Sequence, residues 1–204
     1  MKRIVICNIP LYEKKPVKYM CDDKSFPLID FEVIYPINAL LGGVIKKDEH
    51  LKVLLLAKNG EYSVSCENCE HFKSELDGIN KSIGAKIEYK IIETDFKQTL
   101  SVHSELMGKI VDEIDNESHL LVDITYGSKD IPIVEFSALN FAQKFLNCEI
   151  EHIVYGQSDF VDNKPVNTKI CDMSPLYYMN SVVDLINTNN PNSAREMLKT
   201  LLSL

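Results

Sequence analysis

The stretch His119-Leu-Leu-Val-Asp-Ile-Thr-Tyr-Gly-Ser-Lys-Asp-Ile-Pro132 decides how this chain folds. Residues 119–124 are a mostly apolar run of strand length. A turn of Thr, Tyr, Gly, Ser and Lys follows, and Ile131-Pro132 then opens a run, 131–145, that is apolar on most sides and is expected to pack deeply as a helix. Another apolar, β-branched run occupies 149–155. Strand, tight turn, helix and strand in this order make a βαβ unit, which buries its strands on both faces.

The same rhythm extends towards the N-terminus. Strand patterns fall at 3–7, 52–57 and 86–92, and short or periodic apolar helices at 35–45, 68–83 and 100–114. Phe72, Leu76, Ile79 and Ile83 recur at steps of three and four, as do Leu106, Ile110, Val111 and Ile114. This alternation predicts an α/β fold, an open, doubly wound and mostly parallel sheet with helices on both faces and right-handed crossovers. After Tyr155 the pattern changes. Residues 156–167 are polar and read as a long turn, and 168–172 as a sixth strand, antiparallel at the edge. Ser174-Pro175 starts a helix over 176–186, residues 187–190 break it, and Pro191 opens a last one. That helix is expected to run to the chain end, where it docks on a partner or leads into a further domain. The expected division is a ligand-binding domain over 1–174 and a C-terminal helical extension over 175–204.

Composition narrows the function. The 204 residues are 45% hydrophobic and 25% charged, ordinary values for a globular chain with a real core. With 22 Lys+Arg against 30 Asp+Glu the net charge is −8, which speaks against non-specific nucleic-acid binding. After Leu176 the basic residues are Arg195 and Lys199, so direct DNA contact by the C-terminal helices is not expected. The longest apolar runs fall far short of the roughly 20 residues of a membrane span. Met1-Lys-Arg-Ile-Val-Ile-Cys enters a strand with no cleavage site, and the six cysteines are scattered, so a cytoplasmic protein with reduced thiols is expected.

In an open α/β sheet, ligands sit beyond the carboxyl ends of the strands. Two loops qualify: Asn8-Ile9-Pro10-Leu11-Tyr12 after the first strand, and Thr125-Tyr126-Gly127-Ser128-Lys129-Asp130 after the fourth. In the second, Gly127 lets a ligand approach the backbone closely. The Thr125 and Ser128 hydroxyls, the N–H groups at a helix start and the Lys129 charge make an anion site there. The same residues also suit an ordinary strand-to-helix turn with Ser128 or Asp130 as its cap. Neither G-x-x-x-x-G-K-[ST] nor a G-x-G-x-x-G after the first strand is present, so the common nucleotide motifs are excluded. Gly42-Gly43, inside a helix, reads as a packing or termination feature.

Asp123-Ile-Thr-Tyr-Gly127, with Ser128-Lys-Asp-Ile-Pro132, a long helix, Val154-Tyr-Gly156 and Asp172-Met-Ser-Pro175, resembles the D-x-T-H-G segment and its continuation in CRISPR-associated Rossmann-fold (CARF) proteins. Tyr126 stands where that family has its signature His, and Ser128-Lys129-Asp130 replaces its Phe-Arg-Ser run. The resemblance implies a Rossmann-like homodimer that binds a cyclic oligoadenylate, the messenger of type III CRISPR antiviral defence, in a groove shared by two subunits. Asn8, Ile9 and Pro10 and then Thr125, Tyr126, Gly127, Ser128, Lys129 and Asp130 would line it, with a fused or partner effector responding. Some members cleave their ring without metal, by 2′-hydroxyl attack. Here Thr125, Ser128 and Lys129 would be the catalytic donors, and no cofactor is implied. A ligand-responsive regulator of transcription is a further alternative. The HEPN ribonuclease motif of many effectors is missing, since Arg3 and Arg195 are the only arginines and neither has a His at the required spacing.

Other constellations compete. Cys66-x-x-Cys69 with His71 invites a redox or zinc reading. Zinc would need Cys21, His50 or His103 to complete four ligands, and reduced cysteines at a helix start are the plainer alternative. Glu67, Glu70 and Glu75, and Asp112, Glu113 and Asp115, read as solvated helix faces. His103, His119 and His152 stand alone in sequence. Tyr177, Tyr178 and Met179 read as core or dimer contacts.

Overall fold

The structure, a computed structural model, describes residues 2–60, 64–162 and 164–203. The chain divides into two compact units, Met1–Asp172 and Met173–Leu204. The first unit runs β1 (Lys2–Asn8), α1 (Pro36–Val44), β2 (His50–Asn59), α2 (Ser65–Asn80), β3 (Lys86–Asp95), α3 (Leu100–Asp112), β4 (His119–Asp123), α4 (Ile131–Phe145), β5 (Glu149–Val161) and β6 (Lys164–Asp172). The six strands form one sheet in the order β3-β2-β1-β4-β5-β6. All neighbours are parallel except β6, which lies antiparallel on β5. This is the Rossmann-like doubly wound arrangement that the alternating pattern predicts. The winding reverses between β1 and β4.

Strand periodicity sorts side chains between the faces. Val5, Cys7, Val53, Leu55 and Leu121 join α1 and α2 residues such as Ile37, Leu40, Phe72 and Leu76 in one buried cluster. Residues of the opposite parity, including Asn8 and Lys58, face α3 and α4. Central strands β1 and β4 are buried after their first residue, whereas edge strand β3 mostly alternates between exposed and half-buried positions.

α1 has no cap of its own beyond Pro36 in its first turn. Carboxylates from elsewhere supply one. Glu75 of α2 accepts from Ile34 N (2.6 Å), Tyr35 N (3.3 Å) and Asn38 Nδ2 (2.9 Å), and Asp123 accepts from Ile37 N (3.1 Å). These orphan N–H groups at a positive helix end explain why a buried acid, Asp123, and a half-buried one, Glu75, converge on it. Glu75 is therefore an internal anchor and not part of a solvated face. Gly42 and Gly43 are packing features. A β-carbon on Gly43 would stand 2.1 Å from the Pro27 carbonyl oxygen, and one on Gly42 would stand 2.6 Å from Ile29 Cγ2. Gly43→Ala is expected to cost about 1–3 kcal/mol in a urea melt, because the obstacle is backbone.

Three features depart from expectation. The polar stretch 156–167 is mostly strand: β5 continues to Val161, β6 begins at Lys164, and Asp162 turns with φ 49°. The two strands pair from Val154↔Asp172 to Val161↔Lys164 around a bulge at Gln157/Asp159, so main-chain bonds carry a ribbon whose side chains are largely exposed. α4 buries Ile131, Val134, Ala138, Leu139 and Ala142 but leaves Ile133 and Phe145 each 70% exposed, so it packs on one side only. In the second unit, α5 (Ser174–Asp184) precedes α6 (Pro191–Leu201), which Asn190 caps through Asn192 N and Ser193 N. α6 closes at Leu201 with Leu202 as its C-cap. Tyr177 is buried, while Tyr178 and Met179 are exposed. Among the described residues, no helix is long and apolar enough to cross a membrane.

Candidate functional site at the carboxyl end of the sheet

β1 and β4 end side by side, with Cys7 opposite Asp123, at the point where the winding reverses. Ligands in open α/β sheets occupy this crevice. The β4–α4 turn that overhangs it is fixed from several sides. Thr125 N–H donates to Asp123 Oδ1 (2.9 Å), and Gly156 N–H donates to Thr125 Oγ1 (2.7 Å), tying the turn to β5. Tyr126 Oη donates to the Ile34 carbonyl (2.9 Å) and lies 3.4 Å from Tyr19 Oη, and its ring meets Tyr35 edge-on. Gly127 has φ +83°, a left-handed conformation that disfavours any side chain. Ile131 N–H then donates to Ser128 O (3.1 Å) and α4 begins.

Beneath the turn the crevice is filled with buried polar groups. Asn8 of β1 and Glu135 of α4 are both fully buried, and Asn8 Nδ2 donates to Glu135 Oε2 (2.9 Å). Asn8 Oδ1 and Glu135 Oε1 lack a hydrogen-bond partner. Burial pushes Glu135 up to about 8, the Asn8 bond pulls it back in part, and the Asp123 charge adds to the rise. Burial likewise raises Asp123 to about 6 against the bonds from Thr125 and Ile37. Two buried carboxyls thus hold their protons to higher pH than carboxyls in water.

Beside them, Lys58 at the end of β2 is 1% exposed and pairs with Asp130 (2.9 Å). His103 Nε2 of α3 reaches the same Asp130 oxygen at 3.2 Å, and Phe96 covers the ammonium at 5.5 Å. Burial alone would raise Asp130. Ser128, Lys58 and its own backbone outweigh that and hold it well below the usual carboxylate range.

The sequence-derived candidates therefore separate into three groups. Asn8, Ile9 and Pro10 are buried and support the turn from below. Thr125 and Tyr126 are half-buried and committed to protein partners, and Asp130 is committed to Lys58 and His103. Gly127 and Ser128 are half-buried, and Lys129 is exposed. Of the proposed catalytic donors, Thr125 thus holds β5, the Ser128 hydroxyl oxygen is buried beside Asp130, and only Lys129 is exposed. The histidines are not solitary: besides His103, His119 lies 3.2 Å from Glu151 and His152 lies 3.4 Å from Asp172. Lys58 was not singled out in the sequence because it is one more polar residue at the end of an apolar strand. Only the position of Asp130, 72 residues away, gives it meaning. Among the described residues, no group of three or more His, Cys, Asp or Glu is placed to hold a metal ion, so Cys21, His50 and His103 do not complete a site with Cys66 and Cys69. Glu61, Tyr62 and Ser63, which precede that pair, lie outside the described residues.

No protein-family profile matches the chain. Over 127 residues, 60% of this chain, it is 23% identical to a CRISPR-associated protein of Methanocaldococcus jannaschii. The chain is a distant relative of a CRISPR-associated protein. The matched part is 20% of that relative's length. A mutant phosphofructokinase-2 from Escherichia coli aligns with all of this chain and 70% of its own, at 11% identity and a TM-score of 0.40, a likeness that carries no functional weight.

Proposed function

We propose that the chain is a CARF-type sensor that binds a cyclic oligoadenylate across a homodimer, with the β4–α4 turn of each subunit holding ring phosphates. One observation carries this reading. A turn pinned to β5 and to the core stands at the reversal point of the sheet, with left-handed Gly127 and exposed Lys129 at the start of α4. Such a turn presents main-chain N–H groups and a cation without reorganising, which is what a phosphate needs. α1 cannot play the same part, because Glu75 and Asp123 already occupy its N-terminus. A two-fold axis suits a ring whose phosphates repeat, and the distant CRISPR-associated relative supports the choice of ligand class. The net charge of −8 is compatible, since local N–H groups and Lys129 set the potential at the turn.

Calorimetric titration with cyclic tri-, tetra- and hexa-adenylate tests the proposal. One ring size should bind, and Lys129→Ala should weaken it about tenfold through loss of a charge-assisted contact. Unchanged affinity in the variant would remove Lys129 from the site, and silence with every ring would remove the site.

A further inference from the structure

The first turn of α2 clamps the loop that follows β1. Asn68 Nδ2 donates to the carbonyls of Pro10 (2.8 Å) and Tyr12 (3.2 Å), Ser65 Oγ donates to Pro10 O (3.4 Å), and Val64 N–H donates to Leu11 O (3.2 Å). Tyr35 Oη holds the Asn68 carbonyl in turn (2.6 Å). Two cysteines bracket Asn68. Cys66 is exposed, and Cys69, three residues on, is fully buried in the cluster with Tyr35 and Phe72. Burial pushes the Cys69 thiol up to about 12, with neighbouring Cys66 adding to it, so Cys69 is inert until an attacked Cys66 is brought against it.

We infer that Cys66 and Cys69 form a dithiol–disulfide pair through which a low-molecular-weight disulfide loosens the grip of α2 on the loop after β1. The coupling follows from geometry. Side chains three apart on a regular helix have β-carbons about 5–6 Å apart. A disulfide needs about 3.5–4.5 Å. The bond closes only if the first turn tightens, and the residues inside that turn are the ones that hold Pro10, Leu11 and Tyr12. The exposed Cys66 thiolate attacks one sulfur of the small disulfide, forming a mixed disulfide and expelling one thiolate, which takes up a proton. As the turn tightens, Cys69 attacks the Cys66 sulfur and its proton passes to the second thiolate, which is expelled as a thiol. Two protein thiols are oxidised to one disulfide, and the small disulfide is reduced to two thiols. None of this depends on which ligand the β4–α4 turn takes.

The full-length chain is incubated with oxidised glutathione, its remaining thiols are alkylated under denaturing conditions, and the disulfides are mapped by peptide mass spectrometry. Amide hydrogen exchange is followed on the reduced and oxidised proteins. The expected product is an internal Cys66–Cys69 disulfide, with the amides of Val64 and Asn68 exchanging at least fivefold faster than in the reduced protein. Cys69→Ser should stop at glutathionylated Cys66, and Cys66→Ser should leave Cys69 unreacted. A glutathione adduct that persists on Cys66 beside alkylated Cys69, pairing of Cys66 with any other cysteine, or a Cys66–Cys69 bond with unchanged exchange would each overturn the inference.

Discussion

Glu135→Gln is expected to raise stability by about 3–5 kcal/mol at pH 9 and to change it by less than about 1 kcal/mol at pH 4. The carboxyl is fully buried and its pKa lies near 8, against 4.5 for an ordinary Glu. The folded protein thus binds this proton more tightly than the unfolded chain. Its contribution to stability is fully present below about pH 4.5 and is lost as the pH rises through 8, when the folded protein must hold a charge that the unfolded chain solvates freely. Gln cannot ionise, so this loss disappears. It also fits the site, because Asn8 Nδ2 keeps an acceptor in the Gln side-chain oxygen. Asp123, raised to about 6, keeps a smaller decline between roughly pH 4 and 6 in both proteins. Urea denaturation at pH 4, 6, 8 and 9 reads the difference directly. Parallel pH profiles for parent and variant would show that Glu135 does not carry the buried proton.

Asp130→Ala should destabilise the protein by about 3 kcal/mol, and the double variant Lys58→Met/Asp130→Ala should recover most of that loss. The reason is an asymmetry of buried ion pairs: removing one partner leaves the other charge dry and unpaired, whereas replacing both with apolar groups is close to neutral. Lys58 is 1% exposed and its only carboxylate within ion-pair distance, among the described residues, is Asp130. A double-mutant cycle by chemical denaturation gives the coupling between them. Additive losses would mean that the pair is not a unit. His103 shares the Asp130 oxygen, so the single variant also frees α3 at this end.

Glu135 and Lys58, on which the two predictions turn, were not brought forward by the sequence, whereas Asp130 was, as a residue of the β4–α4 turn, and the reason is physical. The layout of the sheet was legible because it is written in local periodicity: apolar strands, helices with apolar residues at steps of three and four, and a Thr-Gly turn ahead of Pro132. The β4–α4 turn was legible too, since Gly127 and the residues around it lie together in the chain. Pairings across the sheet were not. Asn8 with Glu135, Lys58 with Asp130 and Glu75 with the start of α1 join residues 127, 72 and 41 or fewer positions apart, and no spacing rule connects them. Polarity misled in the 156–167 ribbon as well. Strands at a sheet edge need main-chain pairing more than apolar side chains, so a hydrophilic stretch there reads as a turn.

The internal polar groups also bear on the proposed site. Asn8, Glu135 and Asp123 lie under the turn and Lys58 holds Asp130 at its end, so the turn rests on partners that are already in place. In the proposed reading, a ligand phosphate would meet a preset surface and not a loop that must first find its partners.

The central claim is that one ring sits between two copies of this chain. Native mass spectrometry of the protein mixed with cyclic oligoadenylates of three, four and six units measures this directly. Two chains carrying a single ring are the predicted species; a ring on each separate chain, or none taken up at any size, would contradict the account.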